Sequence, residues 1–411
     1  MSEYNEYNEY RLWSNNLTDE EFYTEKNRQR KLAACQLPAS EILGCGYEVR
    51  FLMKPGKLLF SRLLSSLACV FFMILLASGL ASASPAGREE SFSAVIEVNA
   101  MNYVRAKTAL QLDKYYARAG GINRFSHSRN VVGIDNRSSK RLNRDTLYSV
   151  AIVDISEGAV VEMPKAAGRY MSLQVVNEEG YTNAVFHGGG RYKLDMNQFE
   201  TSYVWLLVRT LVSPDTPNDI ELARGLQDQL AISSPSDRPY EHPAYDAESF
   251  GATTDHLLEL GKGLEDNAGA AGSREEVDPI KQLLVAAYGF GTLPERESLL
   301  LTVNPGLPYT GAYVMTVKDV PTDGFWSLAM YNKEGYFEKN DYESYGVSDQ
   351  SAEKNADGSI TIHFGGDPRS INYIPLTDGW NYVVRLYRPR EEILSGNWTF
   401  PEVSELGRPR R

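Results

Sequence analysis

Cysteine is scarce and unevenly placed: Cys35, Cys45 and Cys69 are the full set, and all lie within the first 83 residues. The stretch from 84 to 411 therefore has no thiol nucleophile, no disulfide and no thiolate metal site. Histidine is nearly as sparse. His127, His187, His242, His256 and His363 are the only five, and no two form a close ligand pair on one helix, so no metal site is expected. Asp357-Gly358 lacks the carboxylate ladder of a calcium loop and reads as a hairpin turn. Also missing are a Gly-x-Ser-x-Gly elbow, a His-Glu-x-x-His helix, a Gly-x-x-x-x-Gly-Lys phosphate loop and a Gly-x-Gly-x-x-Gly turn. Their absence removes the commonest hydrolase, protease and nucleotide-binding classes, and no cofactor is expected.

Basic charge is in deficit. The chain has 42 basic and 54 acidic residues. Residues 1–83 carry nine of each, so the whole net charge of −12 belongs to 84–411. Such a balance argues against a nucleic-acid partner, whose phosphates want a basic face.

Long apolar runs are absent but for one. Residues 54–86 open with Lys54, Lys57 and Arg62, continue through an apolar stretch centred on Leu67 to Leu76, and close with Ala81-Ser82-Ala83. That is the pattern of a secretory signal with a small-x-small cleavage site. The expectation is translation from Met53, a signal peptide over 53–83 and a periplasmic or secreted product, with 1–52 a disordered or untranslated extension. The rival is an uncleaved anchor, since Leu63 to Leu80 is about long enough to cross a bilayer, which would also leave the folded body outside the cytoplasm. In either case, membrane contact comes only through that segment.

Beyond the leader, Phe92, Ile96, Tyr103 and Leu110 fall at helical steps, predicting a helix over 92–119 that Gly120-Gly121 ends. Strands are predicted at 146–155, 170–177, 181–186 and 203–212, where β-branched and aromatic residues concentrate. Helical patterns follow at 219–230, 246–260 and 279–287. Strands return at 313–318, 325–331, 359–364 and 382–387, with Asn332-Lys333-Glu334-Gly335 and Asn355-Ala356-Asp357-Gly358 as turns. The expected fold is mainly β with helical insertions. It comprises a β-rich domain over 92–215, a helical connecting section over 216–300 and a β domain over 301–402.

Asn143-Arg144-Asp145-Thr146 is the densest short cluster of function-capable groups. It precedes a strand whose mouth would hold an arginine fork for a carboxylate, or an Asp base; the plainer reading is a structural ion pair. Phe325-Trp326-Ser327 offers an aromatic wall, which core packing explains equally well. Arg385 interrupts the apolar strand Tyr382–Tyr387 and, if inward-pointing, wants a carboxylate or ligand. His187-Gly188-Gly189-Gly190 imitates an esterase oxyanion loop without its serine elbow, so a hairpin loop is the better reading.

These segments resemble a pair of bacterial domain-of-unknown-function families. Asn143-Arg144-Asp145-Thr146-Leu147-Tyr148-Ser149, with Gly168-Arg169-Tyr170 and Ser172-Leu173-Gln174, is similar to family 1254. Gly324 to Tyr331, Asp357-Gly358-Ser359 and Arg385-Leu386-Tyr387-Arg388-Pro389 are similar to family 1214. The resemblance implies a sandwich-like first domain and a jelly-roll-like second one, frequently exported, and brings no agreed reaction. This chain has Asn372-Tyr373-Ile374-Pro375 where members usually carry Trp after the Asn.

The resulting expectation is an exported protein that binds a small molecule or glycan-like ligand in an interdomain cleft near Asn143, Arg144, Asp145, Thr146, Tyr148, Trp326, Ser327 and Arg385. Two rivals stand beside it. One is a hydrolase in which Ser327 or Thr146 is activated by Asp145 or a histidine; the other is a structural envelope protein.

Overall fold

The computed structural model describes residues 95–407, apart from positions 215 and 217. The signal pattern, its extension and the three cysteines lie outside the described residues. No helix among the described residues is long and apolar enough to cross a membrane.

Among the described residues the first element is helix α1 (Tyr103–Ala119), followed by strands β1 (Ser126–His127), β2 (Thr146–Asp154), β3 (Ala159–Met163), β4 (Met171–Asn177), β5 (Thr182–His187) and β6 (Gly190–Leu194). Next come α2 (Met196–Phe199), β7 (Tyr203–Leu211), α3 (Asp219–Gln227), β8 (Ala231–Ser233), α4 (Ala247–Leu260) and α5 (Pro279–Tyr288). The last third holds β9 (Ser298–Val303), β10 (Ala312–Val317), β11 (Trp326–Tyr331), β12 (Gly346–Ser348), β13 (Ile360–Gly365), β14 (Tyr373–Ile374) and β15 (Asn381–Tyr387). Helix α6 (Glu391–Leu394) and β16 (Ser404–Glu405) close it.

Among the described residues the fold is mainly β, in four sheets, with a helical section between the amino- and carboxy-terminal ones. An antiparallel five-stranded sheet runs β1-β2-β7-β4-β5 and packs on the three-stranded β6-β3-β8. Val153, Val161, Leu173, Val175, Leu206 and Val208 fill the space between them. The opposite face of the five-stranded sheet is covered as well: Val150, Ile152, Val176, Trp205 and Leu207 pack beneath Leu112 of α1. Burial on both faces explains why β2 and β7 read as nearly continuous apolar runs instead of alternating ones.

The second β unit is a sandwich of β12-β11-β15-β9 on β14-β13-β10-β16. Its core contains Met315, Trp326, Leu328, Ile362, Phe364, Trp380 and Leu386. Strands alternate their faces, so Phe325, Ser327, Ala329 and Tyr331 point away from that core, as do Val383, Arg385 and Tyr387. This outward face meets the first β unit, where Ala329, Tyr331 and Val383 pack with Ile134 and Leu142.

Two details depart from the expected elements. Of the helix expected over 92–119, residues 92–94 lie outside the described residues, and from 95 on helix α1 begins only at Tyr103, because Asn99 and Asn102 tie a polar turn: Asn99 N donates to Asn102 Oδ1 at 2.8 Å and Asn102 Nδ2 to the Glu97 carbonyl at 2.9 Å. Ile96 bridges Tyr245 as extended chain. Gly188-Gly189 forms the corner at which the chain leaves one sheet for another. Gly188 has φ +81°, and a Cβ on Gly189 would lie 2.6 Å from the Lys165 amide nitrogen.

Candidate functional site

The segment Asn143–Tyr148 crosses from an irregular loop into β2. Asn143 Oδ1 accepts from the Asp145 amide at 2.8 Å, an Asx turn that sets the entry to the strand. The Asn143 amide nitrogen reaches the other way, donating to Tyr148 Oη at 3.1 Å and to Tyr387 Oη at 2.9 Å. Tyr387 belongs to β15, 244 residues further on, so one side-chain amide links the two β units.

Asp145 makes the second link. Ser327 Oγ, on the outward face of β11, donates to Asp145 Oδ2 at 2.5 Å. Burial pushes the Asp145 carboxyl above the usual range, against the opposing pull of Arg385, Ser327 and Arg144.

Arg385 stands opposite Ser327 in the β11–β15 ladder. Its Nη2 donates to the Arg141 carbonyl at 2.7 Å and to Tyr331 Oη at 3.1 Å, while its Nη1 is enclosed without a hydrogen-bond partner. Although burial alone works against its charge, the hydroxyls of Tyr331 and Tyr387 and the Asp145 carboxyl hold the guanidinium charged. Burial likewise pushes Tyr387 well above the ordinary tyrosine range and raises Tyr331.

The remaining expected residues divide. Thr146 opens β2, buried, with its hydroxyl 3.5 Å from Asn143 Nδ2. Arg144 turns aside, bonded to the Val132 carbonyl and lying over the rings of Phe337 and Tyr345 at 5.8 and 5.5 Å. Trp326 faces the opposite side of β11 from Ser327, in the sandwich core against Phe400 at 5.4 Å. The structure thus joins Asn143, Asp145, Thr146, Tyr148, Ser327 and Arg385, and leaves Trp326 outside the group.

Several members were not anticipated. Arg209 on β7, 6 % exposed, lies level with Tyr148 on β2 and Ser172 on β4. It donates to Gln174 Oε1 at 2.8 Å and to the Gly291 carbonyl at 2.5 Å, with Tyr148's ring 6.0 Å away. Tyr170 packs against Phe325 and Tyr387, ring centroids 5.2 Å from each. The hydroxyls of Tyr170 and Ser172 are enclosed beside one another, with no other hydrogen-bond partner, and burial pushes Tyr170 up to about 12 against the pull of the Ser172 hydroxyl. His187 Nε2 bonds Glu297 Oε2 at 2.6 Å beside Tyr170.

Chemically, the junction is rich in donors and poor in anions. Asn143, Asp145 and Tyr148 are half-buried as residues, whereas Ser327, Arg385 and Tyr387 are buried. Among the described residues no group of three or more His, Cys, Asp or Glu could hold a metal ion. A cavity of about 40 Å³ lies nearby, beneath α1 and α5, lined in part by Gln174, Gln282, Phe290 and Gly291. It has room for about one water molecule.

Among curated proteins, none matches the chain. Its fold is similar to that of the VPA0106 protein from Vibrio parahaemolyticus, with a TM-score of 0.56 at 18% identity, over 75% of this chain and 98% of that one. An uncharacterized protein from Burkholderia cenocepacia aligns over 74% of this chain and 87% of its own, with a TM-score of 0.43 at 15% identity. Residues 122–197, which include the Asn143–Tyr148 segment, match the model of DUF1254, described as a protein of unknown function. Residues 306–391, which include Ser327 and Arg385, match DUF1214, described in the same words. The chain is thus one that carries a DUF1254 region followed by a DUF1214 region, and the polar junction is built where the two regions touch.

Proposed function

We propose that this is an exported protein that binds a small polar molecule at the junction of its two β units, with Asn143, Asp145, Tyr148, Ser327, Arg385 and Tyr387 as the binding groups. The observation that carries the reading is the Asp145–Ser327 bond, which brings a polar segment of each family region together around an unpartnered guanidinium nitrogen. Buried polar groups are ordinarily satisfied, and an enclosed donor left without an acceptor costs free energy that a ligand oxygen would recover. The rival hydrolase reading rests on the same Ser327–Asp145 bond; binding takes precedence because the enclosed, unpartnered Arg385 nitrogen calls for an acceptor, while no histidine bonds to Ser327 among the described residues.

The binding reading is tested by native purification followed by mass spectrometry of released small molecules. The expected result is a stoichiometric compound that Arg385→Gln fails to retain; equal retention by that variant would remove the junction from the function. Export rests on the sequence of residues 54–86 alone. Amino-terminal sequencing of protein recovered from an envelope or medium fraction is expected to begin just after Ala83. A product that starts at Met1 and keeps Cys69 would overturn it.

A further inference from the structure

Resting on that reading, we infer that the ligand is an oxyanion, a carboxylate or phosphate, that neutralises the guanidinium groups of Arg209 and Arg385. Both side chains are almost fully buried, at 6 % and 4 % exposure. They stand on facing sheets, Arg209 level with Tyr148 and Arg385 level with Ser327. Asn143 joins the two neighbourhoods, since its amide donates to Tyr148 and to Tyr387.

Neither guanidinium has a carboxylate within ion-pair distance among the described residues. The Arg209 acceptors are an amide oxygen and a carbonyl, and those of Arg385 are a carbonyl and a phenol. Such oxygens satisfy hydrogen bonds but cancel no charge, and a buried charge ordinarily finds a counter-ion. Of the nearby acids, Glu297 pairs with His187, and the Asp145 carboxyl, which helps to hold Arg385 charged from a distance, lies beyond ion-pair reach and bonds Ser327 instead. Arginine's planar fork matches carboxylate and phosphate oxygens, which favours these over a neutral sugar.

The unpartnered atoms point the same way. Arg385 Nη1 is a pure donor, and the neighbouring hydroxyls of Tyr170 and Ser172, even when one donates to the other, keep one O–H to spare. A group with several acceptor oxygens and no hydrogens of its own completes such a set.

The experiment is calorimetric titration and thermal melting of the full chain after exhaustive dialysis, at constant ionic strength. The probes are acetate, succinate, citrate, inorganic phosphate, glycerol and glucose. The expected result is saturable binding by at least one oxyanion, with a raised melting temperature and no response to glycerol or glucose. The carboxylates and phosphate, titrated separately, distinguish the two sources. Arg385→Gln and Arg209→Gln, each checked for folding by circular dichroism, are expected to weaken it at least tenfold. If either fails to fold, the wild-type titration still decides. Saturable binding of the neutral probes with none by the anions would overturn the oxyanion and leave the binding reading standing. No binding by any probe, together with an empty native preparation, would overturn both.

Discussion

Ser327 Oγ and Asp145 Oδ2 meet at 2.5 Å although the residues are 182 positions apart, and the contact joins a strand of the second β unit to the entry of β2 in the first. The bond is made inside protein, where an ionised or partly ionised acceptor gains more from a donor than it would in water. Ser327→Ala leaves Asp145 Oδ2 without this donor, and a loss of about 1–3 kcal/mol in unfolding free energy is expected. Urea unfolding at neutral pH measures it. A change smaller than about 0.3 kcal/mol would mean that the junction contributes little to joining the two units.

Asp145 gives the junction a pH dependence whose sign is fixed by the direction of its shift. Burial raises its carboxyl in the folded chain above the unfolded value, so between the two the folded state holds more protons. Its contribution to stability is full below the unfolded value and declines as pH rises through the folded one. Asp145→Asn removes the titrating proton while keeping the shape. Stability measured from about pH 4 to 8 should therefore fall less steeply in the variant than in the wild type. Parallel curves would show that Asp145 is not the group responsible.

Arg385 was legible as a candidate because a charge in the apolar run Tyr382–Tyr387 must point somewhere. Arg209 carries the same signal in Tyr203–Leu211 and was passed over, because that strand was read only for its β-propensity. The pairing of Ser327 with Asp145 was out of reach, since nothing local to either segment says that the outward face of β11 meets the loop before β2. Trp326 shows the converse problem: its neighbour Ser327 faces the junction, and a strand's alternation places Trp326 in the sandwich core. The longer strands and helices were plain from periodicity except β9 (Ser298–Val303), which begins inside the expected helical section over 216–300. The short strands β3, β6, β8 and β12 were not, because three to five residues offer too little pattern to separate strand from loop.

Asp154, at the end of β2, anchors the segment that follows β8. Its carboxylate accepts from Ser236 Oγ at 2.5 Å, Arg238 Nε at 3.0 Å and the Ser156 amide at 3.0 Å. Burial on its own would raise this carboxyl, but the donors together hold it well below the usual range. The folded value lies below the unfolded one, so its stabilisation is present at neutral pH and lost as acid carries the solution down through the folded value. Arg238 is exposed, so salt screens its share; most of the loss in Asp154→Ala comes from the stranded Ser236 hydroxyl and Ser156 amide. The expected cost is about 2–3 kcal/mol at pH 7, shrinking in strong acid. Denaturant midpoints at pH 7 and pH 2.5 check it, and an equal loss at both would assign the effect to packing.

Trp326 tests whether the site belongs to the outward face of β11 alone. Its ring is buried in the sandwich core with Phe400 and contacts none of the junction side chains identified above. Trp326→Ala removes a large buried ring and is expected to cost about 3–5 kcal/mol of stability. Trp326→Phe keeps most of the volume, and the folded variant is expected to bind oxyanion as the wild type does, within about twofold. Phe325, one residue away, stacks on Tyr387 at 4.1 Å and faces the junction. Phe325→Leu, a milder change in volume, is expected to weaken anion binding by more than Trp326→Phe does, because it frees the Tyr387 ring whose hydroxyl holds Asn143. The two variants are compared by calorimetry at matched fractions folded. A larger loss of affinity in Trp326→Phe would place the binding surface on the other side of the strand and contradict the assignment of the site to Ser327, Arg385 and Tyr387.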